Sequence, residues 1–219
     1  MIFANRLEAG RILAGRLEKY ADRDDVVVLG IPRGGMPVAF EVAQALHAPL
    51  DVFLLRKLGV PGHEEFAFGA IASGGLRVVD RRILHALEIS PADVDAVTAR
   101  ERQELERREL AYRDDRPPLS VTGKTVILVD DGIATGASLL AGVHALRELR
   151  PAKIVIAVPV APPEALNRLD YEVDEIVCVA TVEGFRAVGQ FYHDFSQTKD
   201  EEVIDLLARN RKAAVLKAA

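Results

Sequence analysis

The chain has 219 residues, of which 49% are hydrophobic and 28% are charged, and its formal net charge is −5 at pH 7. That length and balance predict a single globular domain over residues 1–219, and the negative charge argues against a nucleic-acid or anionic-membrane partner. The single cysteine, Cys178, excludes an internal disulfide, and no apolar run approaches the ~20 residues that span a bilayer, so we expect a cytoplasmic protein.

The first predicted elements are a helix and a buried strand. Asn5 is placed to cap the helix, with Glu8 three residues later as its reciprocal partner. Apolar residues recur at helical spacing as far as Tyr20, and we expect this helix to pack on the domain or on a partner subunit. The apolar run VVVLG (26–30) predicts a strand that is covered on both faces, and a helix follows from Met36.

Further apolar runs alternate with helical patterns along the chain. The remaining predicted strands are 51–55, 125–130, 153–160 and 174–180, and the remaining predicted core helices are 137–149 and one that opens at 162–164. This alternation predicts an α/β fold, with a Rossmann-like parallel sheet and helices on both faces, and with its core at about 24–182.

Three segments depart from this rhythm. Residues 56–79 are rich in glycine, and the first half, KLGVPGHEE, predicts a mobile loop, while the second half predicts a hairpin that turns at 73–75. Residues 80–116 predict a helical insertion whose second helix is solvated and crossed by Glu–Arg pairs. The C-terminal part predicts a small, aromatic-rich segment at 183–196 and a helix at 200–217.

An acidic pair, Asp130 and Asp131, follows a predicted strand in the stretch VILVDDGIATGAS (126–138). Adjacent like charges repel, and packing does not require them, so a bound ligand is the better explanation. The loop after the pair opens a helix, whose unpaired N–H groups and partial positive charge suit a phosphate. Thr135 and Ser138 add hydroxyl donors. A ribose 5-phosphate, with a phosphate and a cis-diol, satisfies both groups.

This stretch resembles the signature of the type I phosphoribosyltransferases. The resemblance implies that Asp130 and Asp131 hold the 2- and 3-hydroxyls of ribose. It implies that the 5-phosphate of phosphoribosyl diphosphate lies in a cradle formed by Ala134, Thr135, Gly136, Ala137 and Ser138. It also implies Mg²⁺ as cofactor, held mainly by the substrate, with the acidic pair as the candidate protein ligands. A capped strand–turn–helix and a phosphorylatable aspartate are the alternatives for this stretch.

A second loop, GIPRGGMP (30–37), also joins a predicted strand to a helix. Gly34 and Gly35 let backbone amides approach an anion, and Arg33 adds a guanidinium with forked donors. The loop resembles the pyrophosphate loop of the family, in which a non-proline cis peptide turns the amides inward. We place that bond between Pro32 and Arg33.

Basic and acidic residues follow the second predicted strand. Arg56 and Lys57 stand at the edge of the sheet where basic side chains can reach a diphosphate. Residues 58–68 correspond to the flexible catalytic loop of the family, and Glu64 and Glu65 are candidates for proton transfer at the acceptor. Solvated loop acids are the alternative for both glutamates. Lys57 and the two glutamates are the candidate catalytic residues.

The acceptor is less well defined by the sequence. In the hypoxanthine–guanine branch of the family, an aspartate stands one residue before the motif threonine, and Ala134 at that position argues against a 6-oxopurine of that type. The candidate hood over the acceptor is 183–196, whose aromatic residues either stack on a nucleobase or pack on the core. They are Phe185, Phe191, Tyr192 and Phe195.

The resemblance covers most of residues 5–207 and implies a transferase that moves ribose 5-phosphate from phosphoribosyl diphosphate to a nitrogen acceptor and releases diphosphate. The pattern is similar to stand-alone bacterial phosphoribosyltransferase-like proteins of unassigned acceptor. A nucleobase is the expected acceptor, and a homodimer is the expected assembly. The alternative function is a non-catalytic regulatory protein that binds phosphoribosyl diphosphate or a nucleotide.

Overall fold

The computed structural model describes residues 2–114 and 116–218, and the side chains of Glu65, Ser138 and 214–218 lie outside the described part. The strands are β1 (Val26–Gly30), β2 (Leu50–Val52), β3 (Leu55–Val60), β4 (His63–Ala72), β5 (Leu76–Val79), β6 (Thr125–Val129), β7 (Lys153–Ala161) and β8 (Glu175–Thr181). The helices are α1 (Arg6–Gly15), α2 (Gly35–Leu46), α3 (Arg81–Ala86), α4 (Pro91–Arg113), α5 (Ala137–Glu148), α6 (Pro163–Asp170) and α7 (Asp200–Ala218).

The central sheet has five parallel strands in the order β2-β1-β6-β7-β8. Successive side chains of a strand point to opposite faces, and both faces of this sheet are covered. One face packs against α1, α2 and α7, and the other packs against α5 and α6. Every residue of β1 and β6 is buried, because their apolar, β-branched runs are covered on both sides. The structure confirms the predicted α/β fold.

The topology places the two predicted ligand-binding loops side by side. β1 and β6 are neighbours in the sheet, and Gly30 at the end of β1 is in register with Val129 at the end of β6. In an open parallel sheet, ligands bind beyond the carboxyl ends of the strands. The loops that follow these two strands therefore meet at one edge of the sheet, although about a hundred residues separate them in the sequence.

The first half of the glycine-rich segment, KLGVPGHEE, for which we expected a mobile loop, lies in a β-hairpin. β3 pairs antiparallel with β4, and the chain turns at Pro61–Gly62, where Gly62 has a φ of +78°. A Cβ on Gly59 would lie 2.8 Å from the backbone oxygen of Glu64, so glycine permits the close approach of the two strands. The predicted hairpin at 73–75 is confirmed, since β4 also pairs antiparallel with β5.

The predicted strand 51–55 is wrong at its end, because the chain changes sheets there. β2 ends at Val52, and the Phe53 amide donates to the Gly30 carbonyl at 2.9 Å. The Leu54 amide instead donates to the Ser73 hydroxyl at 2.9 Å. Leu55 then begins β3 in the antiparallel sheet.

The predicted helical insertion is confirmed by α3 and α4, which both lie within 80–116. On α4, Glu104 pairs with Arg107 and Arg108 at the surface, as expected for a solvated helix face. The thin apolar stripe on the opposite face is buried in the core; its members are Val94, Val97, Leu105 and Tyr112. None of the described helices is long and apolar enough to cross a membrane.

Candidate active site

The acidic pair lies directly after β6, at the carboxyl edge of the sheet. Both side chains are partly exposed, and the amide of Asp131 donates to Oδ1 of Asp130 at 2.8 Å. Oδ2 of Asp131 accepts a hydrogen bond from Nε of Arg6 at 2.8 Å. Each carboxylate therefore has one oxygen with a protein partner and one oxygen with no partner in the described part of the chain.

The surroundings of the pair disfavour two negative charges. Burial raises the pKa of Asp130 well above its ordinary value, and the neighbouring charge of Asp131 raises it further. Burial also raises the pKa of Asp131, and Arg6 opposes this effect. A buried carboxylate with a raised pKa is typical of a functional site. The pair therefore favours a ligand that supplies positive charge or hydroxyl donors.

The loop 132–138 after the acidic pair, which we call the phosphate loop, presents backbone amides. Within the described residues, the amides of Ala134, Thr135 and Gly136 have no acceptor. Gly136 has a φ of +75° and immediately precedes α5, so these amides lie at the positive end of that helix. Arg168 of α6 donates to the Thr135 carbonyl at 3.1 Å and adds a cation that the sequence did not reveal.

The last two residues of the predicted cradle are Ala137 and Ser138. Ala137 is the first residue of α5, and its amide lies 3.4 Å from the Thr135 hydroxyl. The side chain of Ser138 lies outside the described part, so its predicted phosphate contact stays a prediction. An anion at this loop would meet several N–H donors and a partial positive charge, which is the arrangement that binds phosphate in proteins.

The loop 31–35, which we call the PRGG loop, packs against the acidic pair. The bond between Pro32 and Arg33 is cis, as expected. A Cβ on Gly34 would lie 2.1 Å from Oδ2 of Asp131, and a Cβ on Gly35 would lie 2.8 Å from Cα of Asp130. Only glycine allows this approach. The Arg33 and Gly34 amides have no acceptor among the described residues.

Two residues that the sequence analysis did not identify, Asp200 and Tyr112, lie beside Arg33. Its guanidinium lies 4.0 Å from Oδ1 of Asp200, the first residue of α7. The hydroxyl of Tyr112, on α4, donates to the same carboxylate oxygen. Burial and this carboxylate raise the pKa of Tyr112 to about 12, so Tyr112 keeps its proton at neutral pH.

The antiparallel hairpin carries the other predicted site residues. Arg56 and Lys57 line a cavity of about 450 Å³ between the hairpin and α5, and this cavity reaches Ala137. Nε of Arg56 donates to Glu101 on α4 at 2.8 Å. Lys57 is exposed and has no ion pair in the described part of the chain. No hydrogen bond or ion pair joins these two residues to the acidic pair.

The two candidate glutamates both lie on β4. Glu64 is exposed, and the side chain of Glu65 lies outside the described part. The structure therefore brings the acidic pair, the phosphate loop and the PRGG loop together. Arg56 and Lys57 instead line the cavity between the hairpin and α5.

Residues 183–196, the hood, cover one side of the acidic pair. The Tyr192 hydroxyl donates to the backbone carbonyl of Asp131 at 2.6 Å. Phe191 and Tyr192 are buried against Phe3, so these two aromatic residues pack on the core. Phe195 is 38% exposed, and the guanidinium carbon of Arg6 lies 3.9 Å from the centre of its ring.

A family model for the phosphoribosyl transferase domain matches residues 1–196. The chain belongs to the phosphoribosyltransferase family. This membership confirms the resemblance inferred from the two loops, and it agrees with their positions at the carboxyl ends of β1 and β6.

The chain is similar to three further proteins. A Mycobacterium tuberculosis protein provisionally named a phosphoribosyl transferase is 46% identical over 208 residues, which cover 95% of this chain and 47% of that protein. This chain thus spans about half the length of that curated relative. The crystal structure of TT1426 from Thermus thermophilus has a TM-score of 0.85 and 42% identity, and the match covers 95% of this chain and 99% of that one. A bifunctional protein PyrR from Chloroflexus aurantiacus is 31% identical over 131 residues, which cover 58% of this chain and 66% of that protein.

Proposed function

We propose that the protein transfers ribose 5-phosphate from phosphoribosyl diphosphate to a nitrogen acceptor and releases diphosphate. One observation carries this proposal: two carboxylates, each with an unpartnered oxygen, lie beside two loops, and each loop contains at least two amides that have no acceptor in the described structure. The carboxylates suit the sugar diol, and the two amide-lined loops suit two separate phosphate groups. Phosphoribosyl diphosphate has these groups at the two ends of one ribose.

The substrate would be held by groups that the sheet edge already orients. The 5-phosphate would bind at the phosphate loop, and the ribose hydroxyls would donate to the acidic pair. The diphosphate would bind at the PRGG loop, where Arg33 supplies a positive charge with forked donors. Holding the anomeric carbon between these fixed points supplies much of the rate enhancement in a transfer of this type.

The acidic pair also fits Mg²⁺. Carboxylate oxygens are ligands that Mg²⁺ prefers, and this ion is usually bound by one or two carboxylates together with substrate phosphates. The described residues contain no group of three or more His, Cys, Asp or Glu side chains that could hold a metal, and the substrate would supply the further oxygen ligands. The bound ion would stabilise the negative charge on the departing diphosphate.

The transfer step breaks the bond between the anomeric carbon and the diphosphate, which leaves with the electron pair. The acceptor nitrogen forms the new bond and loses a proton. Of the two hairpin cations, we assign Lys57 to stabilise the charge of the departing diphosphate, because Arg56 already pairs with Glu101. Glu64 and Glu65 are the proposed proton acceptors. The hairpin would exclude water from the reacting carbon.

We propose a nucleobase as the acceptor. Phe195 presents a partly exposed ring on the hood, and the hood contacts the acidic pair through Tyr192. An aromatic face of this kind stacks on a planar base. The expected homodimer and cytoplasmic location stay predictions from the sequence.

Diphosphate release tests the proposed activity. The protein is incubated with Mg²⁺, phosphoribosyl diphosphate and a panel of nucleobases, and released diphosphate is measured against a double variant, Asp130→Asn with Asp131→Asn. We expect release with at least one base and none with the double variant. Binding of the substrate without release for any base would favour the regulatory alternative. Absence of both binding and release would overturn the proposal.

Replacement of Gly34 by alanine tests the packing of the PRGG loop on the acidic pair. Gly34 has φ −61° and ψ −35°, which alanine adopts without strain, so the change is opposed by close contacts, at 2.1 Å from Oδ2 of Asp131 and 3.3 Å from Nη2 of Arg6. We expect Kd for phosphoribosyl diphosphate to rise at least about 10-fold, because a displaced carboxylate loses a charge-assisted hydrogen bond worth about 1.5–3 kcal/mol. Calorimetric titration measures this.

Gly15→Ala is the matched control for that variant. Gly15 is the last residue of α1, and a Cβ there has no neighbour within 4 Å. Alanine should leave Kd unchanged and stabilise the helix by about 0.5–1 kcal/mol. If Gly34→Ala binds the substrate as well as Gly15→Ala does, the close packing of the PRGG loop is not needed for binding.

A further inference from the structure

Arg6 lies between the acidic pair and the hood, although it precedes Asp131 by 125 residues. Its Nε donates to Oδ2 of Asp131 at 2.8 Å, and its Nη1 donates to the backbone carbonyl of Ser196 at 2.7 Å. The guanidinium carbon lies 3.9 Å from the centre of the Phe195 ring. The side chains of Arg6 and Asp131 are 11% and 13% exposed, so this ion pair is largely shielded from water.

The backbone around Arg6 is fixed on both sides. The Phe3 amide donates to the Phe191 carbonyl at 2.8 Å, and the His193 amide donates to the Phe3 carbonyl at 2.8 Å. These bonds join the N-terminal segment to the hood as a short parallel bridge. Asn5 caps α1 by accepting from the Glu8 amide at 3.0 Å. The guanidinium is therefore delivered to the acidic pair from a rigid position.

Within the described residues, the hydrogen bonds of the acidic pair leave one carboxylate oxygen of each aspartate free to accept a hydrogen bond from a ligand. Oδ1 of Asp130 accepts from the Asp131 amide, and Oδ2 of Asp131 accepts from Arg6. Oδ2 of Asp130 and Oδ1 of Asp131 have no partner in the part of the chain that the structure describes. Two oxygens on adjacent acids match the two hydroxyl donors of a cis-diol.

We propose that Arg6 is a positioning residue of the ribose site, which orients Asp131 and offsets the charge of the acidic pair so that one oxygen of each acid accepts a ribose hydroxyl. This inference rests on the proposed function and deepens it. Arg6 does not touch the reacting atoms, and it acts through Asp131.

Lysine can replace only part of this role. A guanidinium is planar, and it can donate to Asp131 and Ser196 while it stacks on Phe195. An ammonium group restores the charge and one hydrogen bond, but it lacks the planar stacking surface. A positioning role therefore predicts a graded order of substrate affinity, with arginine first, lysine second and glutamine last.

Binding measurements test the inference. Phosphoribosyl diphosphate with Mg²⁺ is titrated into the wild-type protein, Arg6→Gln and Arg6→Lys in a calorimeter. We expect Kd to rise about 10- to 100-fold for Arg6→Gln, the loss expected for a charge-assisted hydrogen bond, and to rise less for Arg6→Lys. With an active acceptor, KM for the sugar diphosphate should rise more than kcat falls, and KM for the acceptor should change least.

Arg11 supplies the matched control. It lies on the same helix and pairs with Glu41 at 3.1 Å, but its side chain is 65% exposed. Arg11→Gln should leave Kd unchanged. Guanidinium at millimolar concentration should restore binding to Arg6→Ala, whose shortened side chain leaves room for the ion, and should have no effect on Arg11→Ala.

The outcomes separate this inference from the proposed function. Equal Kd values for the wild-type protein and Arg6→Gln would overturn the role of Arg6 alone. Loss of binding that neither lysine nor guanidinium restores would also overturn it, because a purely structural defect behaves in that way. Failure of the wild-type protein to bind the sugar diphosphate would overturn the proposed function and this inference with it. If Arg6→Gln does not fold, Arg6→Lys still decides between the outcomes.

Discussion

Replacing either acid of the pair with asparagine should weaken binding of phosphoribosyl diphosphate about 10- to 100-fold, and replacing both should abolish measurable transfer. An ionised carboxylate accepts a hydroxyl hydrogen bond worth about 1.5–3 kcal/mol, and each tenfold change in affinity corresponds to about 1.4 kcal/mol. An asparagine keeps the shape of the side chain but loses the charge. Calorimetry with the substrate and Mg²⁺ measures the change for each variant.

Asp130→Asn should weaken substrate binding but stabilise the folded protein. The pKa of Asp130 is raised in the folded protein, mainly by burial. The stability contributed by the protonated group is therefore fully present below the unfolded pKa of about 3.9, and it is lost as pH rises through the folded pKa. Asparagine does not titrate. The free energy of unfolding of Asp130→Asn should therefore rise relative to that of the wild-type protein as pH increases from the unfolded pKa to the folded pKa of Asp130.

Melting temperatures at pH 5 and pH 8 test this sign. The advantage of Asp130→Asn should be larger at pH 8, with about 2–4 °C for each 1 kcal/mol in a domain of this size. Asp131→Asn should gain less, because it leaves the shielded Arg6 guanidinium without its carboxylate.

Asp25→Asn is the control for both effects. Asp25 lies outside the candidate site, and its pKa is lowered, mainly by hydrogen bonds from Arg23. Its contribution to stability is fully present above the unfolded pKa of about 3.9 and is lost only as pH falls below that value, so the stability difference between this variant and the wild-type protein should stay constant between pH 5 and pH 8. Substrate binding should not change. A parallel pH response in Asp25→Asn and Asp130→Asn would contradict the assignment of a raised pKa to Asp130.

Most of the fold and both loops of the site could be predicted from the sequence, because each loop is a continuous stretch. A buried strand, an acidic pair and a run of small residues define the first loop within 126–138. Strand, Arg33 and two glycines define the second. The neighbourhood of the two loops then follows from the parallel sheet, since the carboxyl ends of adjacent strands meet at one edge.

The partners of the site could not be predicted, because tertiary packing alone brings them there. Arg6 and Asp200 are the first residues of α1 and α7, and arginine and aspartate at a helix start are ordinary surface residues in a sequence. Their contacts with Asp131 and Arg33 depend on how whole helices dock. The β3–β4 hairpin was missed for a different reason. Gly59 and Pro61 favour turns and loops by local preference, and this preference hid the strands on either side of the turn.

Breaking the buried ion pair between Arg113 and Asp51 should destabilise the fold by about 3–5 kcal/mol, the range for a buried charge that loses its partner. Nε of Arg113 lies 3.0 Å from Oδ1 of Asp51, and the two side chains are 6% and 8% exposed. Arg113 also donates to the Val52 carbonyl at 2.9 Å. Arg113→Met should therefore lower the urea midpoint strongly without a large change in m.

Two comparison variants separate charge burial from packing. The double variant Asp51→Asn with Arg113→Met removes both charges, and it should recover most of the lost stability, because apolar or neutral replacements of a buried pair are often tolerated. Arg107→Ala removes a mostly exposed partner of Glu104 on the same helix, and it should leave the urea midpoint almost unchanged, because exposed ion pairs contribute little to stability. A double variant as unstable as Arg113→Met would show that the arginine stabilises the fold by packing and not by pairing.

The position of this ion pair connects stability to the candidate site. Arg113 is the last residue of α4, and its neighbour Tyr112 donates to Asp200, whose carboxylate lies 4.0 Å from Arg33 of the PRGG loop. The end of the helical insertion is thus fixed to β2 on one side and contacts the PRGG loop through Asp200 on the other. Local opening of this helix end should therefore release Arg33. For the folded fraction of Arg113→Met, Kd for phosphoribosyl diphosphate should rise more than it does for Arg107→Ala, and the same Kd in both variants would show that the insertion stabilises the sheet without bracing the site.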